Sequence, residues 1–362
     1  MIKRLLKDFV FLFLLGLALV INLLSRNAGW IEQNYTNGLY PHLARTQRAL
    51  LGWLPFSFGD LLYAAAVIYL FYLVYRLFVI LRSKGFSKIL LWNGLIKCFK
   101  ILLIIYVWFN ALWGLNYNRL GIAYQLGLKE APYSLEEVTA LATDLQQRLN
   151  YFAARVDTLQ REGETNRVLF EAAYDTYQKA QTQYPYFYYS NPTVKPSLYT
   201  GVGHYFGFTG YYNPFTGEAQ IKTSIPPFLK PFVTLHEIAH QLGYAKENEA
   251  NFVAFLAGRH ATRVADQYSM YYNLYRYAMR EVYGRDTTVY SQLQKALHPQ
   301  VVRDNQTLKA YFLSTQNRIE PLVTLFYDRF LKVNNQAEGV QTYNRVVGLL
   351  IAYRKKYGQQ AI

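Results

Sequence analysis

The segment His236-Glu237-Ile238-Ala239-His240 holds two of the six histidines in this 362-residue chain, and its spacing is one that can do chemistry. On a helix, residues four apart stand on one face, so both imidazoles can bind a single ion. Glu237 is turned about 100° from His236, close enough to serve as general base towards a metal-bound water without ligating. The flanks are apolar: Phe232, Val233 and Leu235 before, Leu242 after. A helix buried on most sides does not carry two histidines and a glutamate without partners for them. A catalytic zinc site takes three protein ligands and leaves a fourth position open. Gly243 can adopt the left-handed conformation that stops the helix, and another helix starts almost at once. A third histidine at position 246 would complete one known pattern, but Lys246 stands there, which excludes it. Glu247 and Glu249, at the start of the next helix, are the two candidates for the third ligand.

The elements that must position these residues form a mostly helical α+β domain with a small sheet. Ser134-Leu-Glu-Glu137 is a capping box opening a helix to about Val156, with Leu135, Val138, Leu141, Leu145 and Leu149 on one stripe. A second helix is expected over 167–183. Residues 198–222 are rich in Gly, Tyr, Phe and Thr and read as short strands and turns. From Pro227 the pattern is helical to the end, with segments over 233–241, 250–260, 261–282, 308–332 and 340–357.

Ahead of this domain the chain is oily. Charged residues are 17% of the whole and hydrophobic ones 52%. Three apolar stretches predict a three-helix transmembrane region over residues 1–117, with spans at about 9–24, 61–81 and 97–115. The net charge of +15 does not point to nucleic acid. Residues 1–117 hold 12 Lys/Arg against 3 Asp/Glu, so the positive charge is densest where the chain is oiliest. Lys3, Arg4 and Lys7, with Arg82, Lys84, Lys88, Lys97 and Lys100, outweigh Arg26, Arg45 and Arg48 in the first connection. The N-terminus is therefore expected inside and residues 118–362 outside the cytoplasmic (inner) membrane of a multi-pass protein. Cys98 is the sole cysteine, which excludes a disulfide scaffold.

HEIAHQLGYAKENEANF (236–252), preceded by GYYNPFTGEAQI (210–221) and PPFLKPFVTL (226–235), and a late GVQTYNRVVGLLIAY (339–353), resemble a bacterial membrane family catalogued as domain of unknown function 3810, grouped with zincin-type metallopeptidases. More loosely, the segment from Glu247 to Asn251 is similar to the E-x-x-A-D/N element of gluzincins. That resemblance implies one Zn2+ held by His236, His240 and Glu247, with Glu237 as base and Asn251 supporting a histidine ring. Asn251 replaces the commoner Asp, a neutral partner that raises imidazole basicity less. Helix geometry prefers the same carboxylate: Glu249 is turned about 200° from Glu247, whereas Asn251 stacks on it.

In zincin-type sites an edge strand lines the cleft and pairs with an extended peptide, and Gly210–Ile221 lies in the right neighbourhood. His204, Tyr205 and Tyr212 are candidates to stabilise an oxyanion. Two function classes follow. One is a membrane-anchored zinc metallopeptidase cleaving peptide or protein substrates outside the membrane. The other is a membrane sensor or scaffold whose zincin domain binds metal without proteolysis. The partners expected are a polypeptide and the lipid bilayer, with no nucleic acid.

Overall fold

The computed structural model describes residues 8–82, 88–158, 161, 163–334, 336, 339 and 345–362. Lys3, Arg4, Lys7 and Lys84, which carry part of the orientation argument, lie outside the described residues, as do residues 340–344 of the late motif.

Helix α1 (Phe9–Ser25) is followed at a sharp bend of 97° by α2 (Ala28–Leu51), which includes a π-helical stretch at Ile31–Leu39. Helices α3 (Phe58–Arg82) and α4 (Lys88–Leu112) come next. Among the described residues, α3 and the 92–112 part of α4 are each long and apolar enough to cross a membrane. The count rises to three if the bent pair α1–α2 is one span. The third expected span, 97–115, ends early. The chain turns through Gly114–Asn118, where a Cβ on Gly114 would lie 2.4 Å from the Phe109 ring. Trp113, Leu115 and Tyr117 are thereby buried with Tyr35, Tyr40 and Ala245.

The remainder is mostly helical with one small sheet. Helix α5 (Leu135–Ala153) opens with the complete Ser134–Glu137 capping box and packs along the later helix α9. Helix α6 (Asn166–Ala180) follows, then strands β1 (Val194–Pro196), β2 (Gly210–Asn213) and β3 (Glu218–Ile221). The sheet order is β1-β3-β2, with β1 parallel to β3, and β2 antiparallel in the register Gly210↔Ile221. Every residue of β3 is buried, and β2 forms one edge. Helices α7 (Lys230–Gln241) and α8 (Glu247–Gly258) pack on each other and on α9 (Val264–Arg285), with α7 also against the sheet. Helices α10 (Thr287–Lys295), α11 (Pro299–Thr315), α12 (Glu320–Val333) and α13 (Val346–Tyr357) complete the chain.

The helix expected over 308–332 is two helices. The Asn317 side-chain oxygen accepts the backbone N–H groups of Ile319 and Glu320 at 2.9 Å each, starting α12 afresh. Pro321 in its first turn lacks the N–H that a continuous helix would use.

Glu218, inside the GYYNPFTGEAQI segment, ties the sheet to α3. Its carboxylate accepts the N–H of Phe58 (3.1 Å) and of Gly59 (2.6 Å) at the helix N-terminus, where the dipole favours an anion. Lys195 in β1 closes a buried ion pair with it at 2.7 Å.

Candidate metal centre

Helix α7 ends in a Schellman motif. Gly243 has φ +86°, its N–H bonds the carbonyl of His240, and the N–H of Tyr244 bonds that of Ala239. The turn delivers the Tyr244 carbonyl to Nδ1 of His240 at 2.7 Å. A carbonyl can only accept, so Nδ1 carries the proton and Nε2 presents a lone pair. Nδ1 of His236 meets Asn251 Oδ1 at 2.8 Å, which directs the Nε2 of that ring in the same way. The two Nε2 atoms stand 3.1 Å apart, with Oε2 of Glu247 at 3.1 Å from one and 3.5 Å from the other.

With both Nε2 atoms unprotonated, three acceptor atoms converge in a buried space, where one cation would satisfy all of them. A tetrahedral zinc with ligand bonds of about 2.05 Å has edges of about 3.3 Å between donors, and the observed triangle has that size. His236, His240 and Glu247 can therefore hold a metal ion. Glu247 supplies the carboxylate because it opens α8, with its own N–H bonded to Gln336 Oε1 at 3.1 Å. Glu249 faces elsewhere, lying against Gly121 and 3.4 Å from the Lys246 ammonium.

Glu237 is buried, and its Oε2 has no hydrogen-bond partner among the described residues. Burial pushes its carboxyl up to about 7, against the pull of both histidines. His240 is raised to about 9: burial opposes its charge, but Glu247 and then Glu237 outweigh it. Glu247 feels the same burial, and the two histidines hold it well below the usual carboxylate range.

The edge strand β2 begins against this base. A Cβ on Gly210 would come within 2.7 Å of Glu237 Oε1 and 2.9 Å of its Cγ, so only glycine lets strand and base approach this closely.

The C-terminal end of α7 is moored to the membrane-proximal elements. Trp113 Nε1 donates to the His240 carbonyl (3.1 Å) and Tyr40 to the Gln241 carbonyl (2.8 Å). Arg119, clamped on both oxygens of Glu32, donates to the Gly243 carbonyl at 3.1 Å. The Gln241 carbonyl, which the helix end leaves without a backbone partner, is thus met from outside, and the His240 carbonyl gains a donor besides the Gly243 N–H.

A family model, "Protein of unknown function (DUF3810)", matches residues 35–351, a range that includes His236, Glu237, His240 and Glu247. The chain belongs to the DUF3810 family. No curated protein and no solved structure matches it. For a DUF3810 protein, GYYNPFTGEAQI has a double use: Gly210 fits beside Glu237 at one end of it, and Glu218 anchors α3 near the other.

The residues expected to serve an oxyanion have the following neighbours. The rings of His204 and Tyr205 lie against each other, tilted by 40°, in a turn at 203–205, with centroids 4.0 Å apart. Tyr212 packs on Trp113 (5.1 Å between centroids), whose ring also lies 6.0 Å from that of His240, and its hydroxyl lies 3.5 Å from that of Tyr40. Two residues that sequence reasoning missed do meet the ligands. Tyr327 of α12 donates to Glu247 Oε1 at 2.6 Å, and buried Tyr117 lies close enough for Glu247 to raise its phenol further than burial alone does. With 34 tyrosines in the chain, no spacing signal marks these two.

Proposed function

We propose that this protein is a membrane-anchored zinc-dependent metallopeptidase of zincin (gluzincin) type, with its site on the outer side of the cytoplasmic membrane. The observation that carries the reading is the meeting of the His236–His240–Glu247 triangle with a buried Glu237 whose Oε2 has no hydrogen-bond partner among the described residues, beside an edge strand. A purely structural metal site has no use for such a base. Zinc bound there would supply Lewis acidity, polarising a carbonyl and easing deprotonation of water.

The chain's own residues do the rest. Asn251 and the Tyr244 carbonyl hold both imidazoles in the ligating tautomer. Strand β2 offers an extended polypeptide an edge to pair with, which brings its backbone past Glu237. The Glu237 carboxylate takes the proton of the attacking water and returns it to the departing amine.

The test uses the full chain in detergent, with elemental analysis and a mass-spectrometric digest of a peptide library. About one zinc per chain is expected from the three-ligand site, with cleavage by the parent protein. Glu237→Gln should keep the metal and lose cleavage by about 100-fold or more. Metal bound with no cleavage by the parent would replace this reading with that of a metal-binding sensor or scaffold.

A further inference from the structure

Helix α12 has two different sides. One reaches the metal-ligand cluster through Tyr327 and buries Leu331. The other carries Leu322, Phe326 and Val333, which share a stripe by their helical spacing and are 60, 72 and 83% exposed. A stripe of large apolar side chains left to water marks an interaction surface.

The position of α12 identifies what covers that stripe. At its C-terminal part, the Phe330 ring packs 6.2 Å from that of Phe109, in the last turn of α4, and 6.3 Å from that of Tyr117. At its N-terminal end, Asn317 donates to the His204 carbonyl at 2.8 Å. The loop carrying His204 is itself bound to the first turn of α3. Leu198 N–H donates to Asp60 Oδ2 (2.7 Å) and the Tyr199 hydroxyl to the Asp60 carbonyl (2.5 Å). The start of α3 and the end of α4 must lie on one side of any bilayer that these successive helices both cross. Helix α12 is thus tethered at both ends to the level where the spans leave the membrane. The tethering loop is apolar too, exposing Leu198, Val202, Tyr205 and Phe206. Arg329 on α12 has a stem long enough to lie along apolar surface while its charge reaches lipid phosphates, whereas Lys332 is paired with Asp328 at 2.6 Å.

We propose that α12 and the 198–206 loop are seated in the headgroup–acyl boundary of the outer leaflet, so that the helix covering the metal-ligand cluster is a membrane-embedded element. This inference rests on the membrane spans and not on hydrolysis. Joined to the peptidase reading, it defines the substrate class as polypeptide segments lying at the bilayer surface.

The experiment uses full-length protein in vesicles of phosphatidylethanolamine and phosphatidylglycerol. In a Cys98→Ser background, single cysteines replace Leu322, Phe326 or Val333 and carry an environment-sensitive fluorophore. Tyr283→Cys on α9 is the aqueous reference, and Phe71→Cys on α3 the membrane reference. A monodisperse gel-filtration peak in detergent at the parent's volume identifies the folded variants, and three positions are available should one fail. The expected result is blue-shifted emission at the α12 positions, with quenching by lipids bearing a nitroxide near the headgroup several-fold above that at 283. Quenching by aqueous iodide equal to that at 283 would overturn the proposal. So would blue-shifted emission that lipid nitroxides do not quench, because the stripe would then be covered by protein. Neither readout involves cleavage, so failure here and failure of the peptidase reading are separately visible.

Discussion

Tyr327 and Glu247, eighty residues apart in sequence, meet through a 2.6 Å hydrogen bond that occupies the ligand carboxylate's Oε1 and leaves Oε2 to the two imidazoles. A bond of this kind orients the carboxylate and keeps its second oxygen from rotating inward. Tyr327→Phe removes the hydroxyl and keeps the ring. Zinc affinity measured by chelator competition should fall about 10-fold or more, with the fold intact. Unchanged affinity would show that Glu247 is oriented without it.

The two glutamates at the start of α8 should separate cleanly. Glu247→Gln is expected to lower zinc affinity by orders of magnitude, because a neutral amide replaces the anion facing both Nε2 atoms. Glu249→Gln, whose carboxylate lies beside Gly121 and Lys246, should retain stoichiometric metal. The reverse outcome would transfer the ligand role to Glu249.

Gly210→Ala tests the fit between the edge strand and the base. The added methyl would stand 2.7 Å from Glu237 Oε1 and 3.0 Å from the backbone oxygen of Gln220, so the softer partner, the glutamate side chain, must move. Zinc content should be unchanged, while turnover of a peptide cleaved by the parent falls by about 10- to 100-fold. Full activity in the alanine variant would mean that Glu237 has room to spare.

Asp266, in the first turn of α9, supplies a pH-dependent stability. Burial raises its carboxyl to about 6, Arg263 pulling the other way, and its Oδ1 has no hydrogen-bond partner among the described residues. With a folded pKa above the unfolded one, the contribution is fully present below about pH 4 and is lost as pH rises through about 6. Asp266→Asn carries no charge to bury. Relative to the parent it should gain on the order of 2 kcal/mol between pH 4 and pH 8, read as a rising difference in unfolding temperature. A difference that stays constant with pH would show that Asp266 ionises without cost.

Much of this molecule is local in its causes and was legible in the residues themselves. The four-residue spacing of His236 and His240 brings both rings to one helix face whatever surrounds it. Ser134 with Glu137, and Gly243 after the motif, set helix ends through bonds made within a few residues. The apolar runs that became α3 and α4 were visible as composition. The break at Asn317 was not, because the apolar period continues across it and one side-chain oxygen decides the restart.

The sequence alone determined a metal-ligand motif on a helix, an oily N-terminal region and a mostly helical domain. Only the tertiary structure decided what converges on that motif. It turned Glu247 inward and Glu249 towards Gly121, brought Tyr327 across eighty residues, set Gly210 against Glu237, and drew Trp113 out of the expected span to cap the motif helix. Helical periodicity acts through neighbours three and four residues away, whereas these contacts join segments whose separation in sequence says nothing of their distance in space.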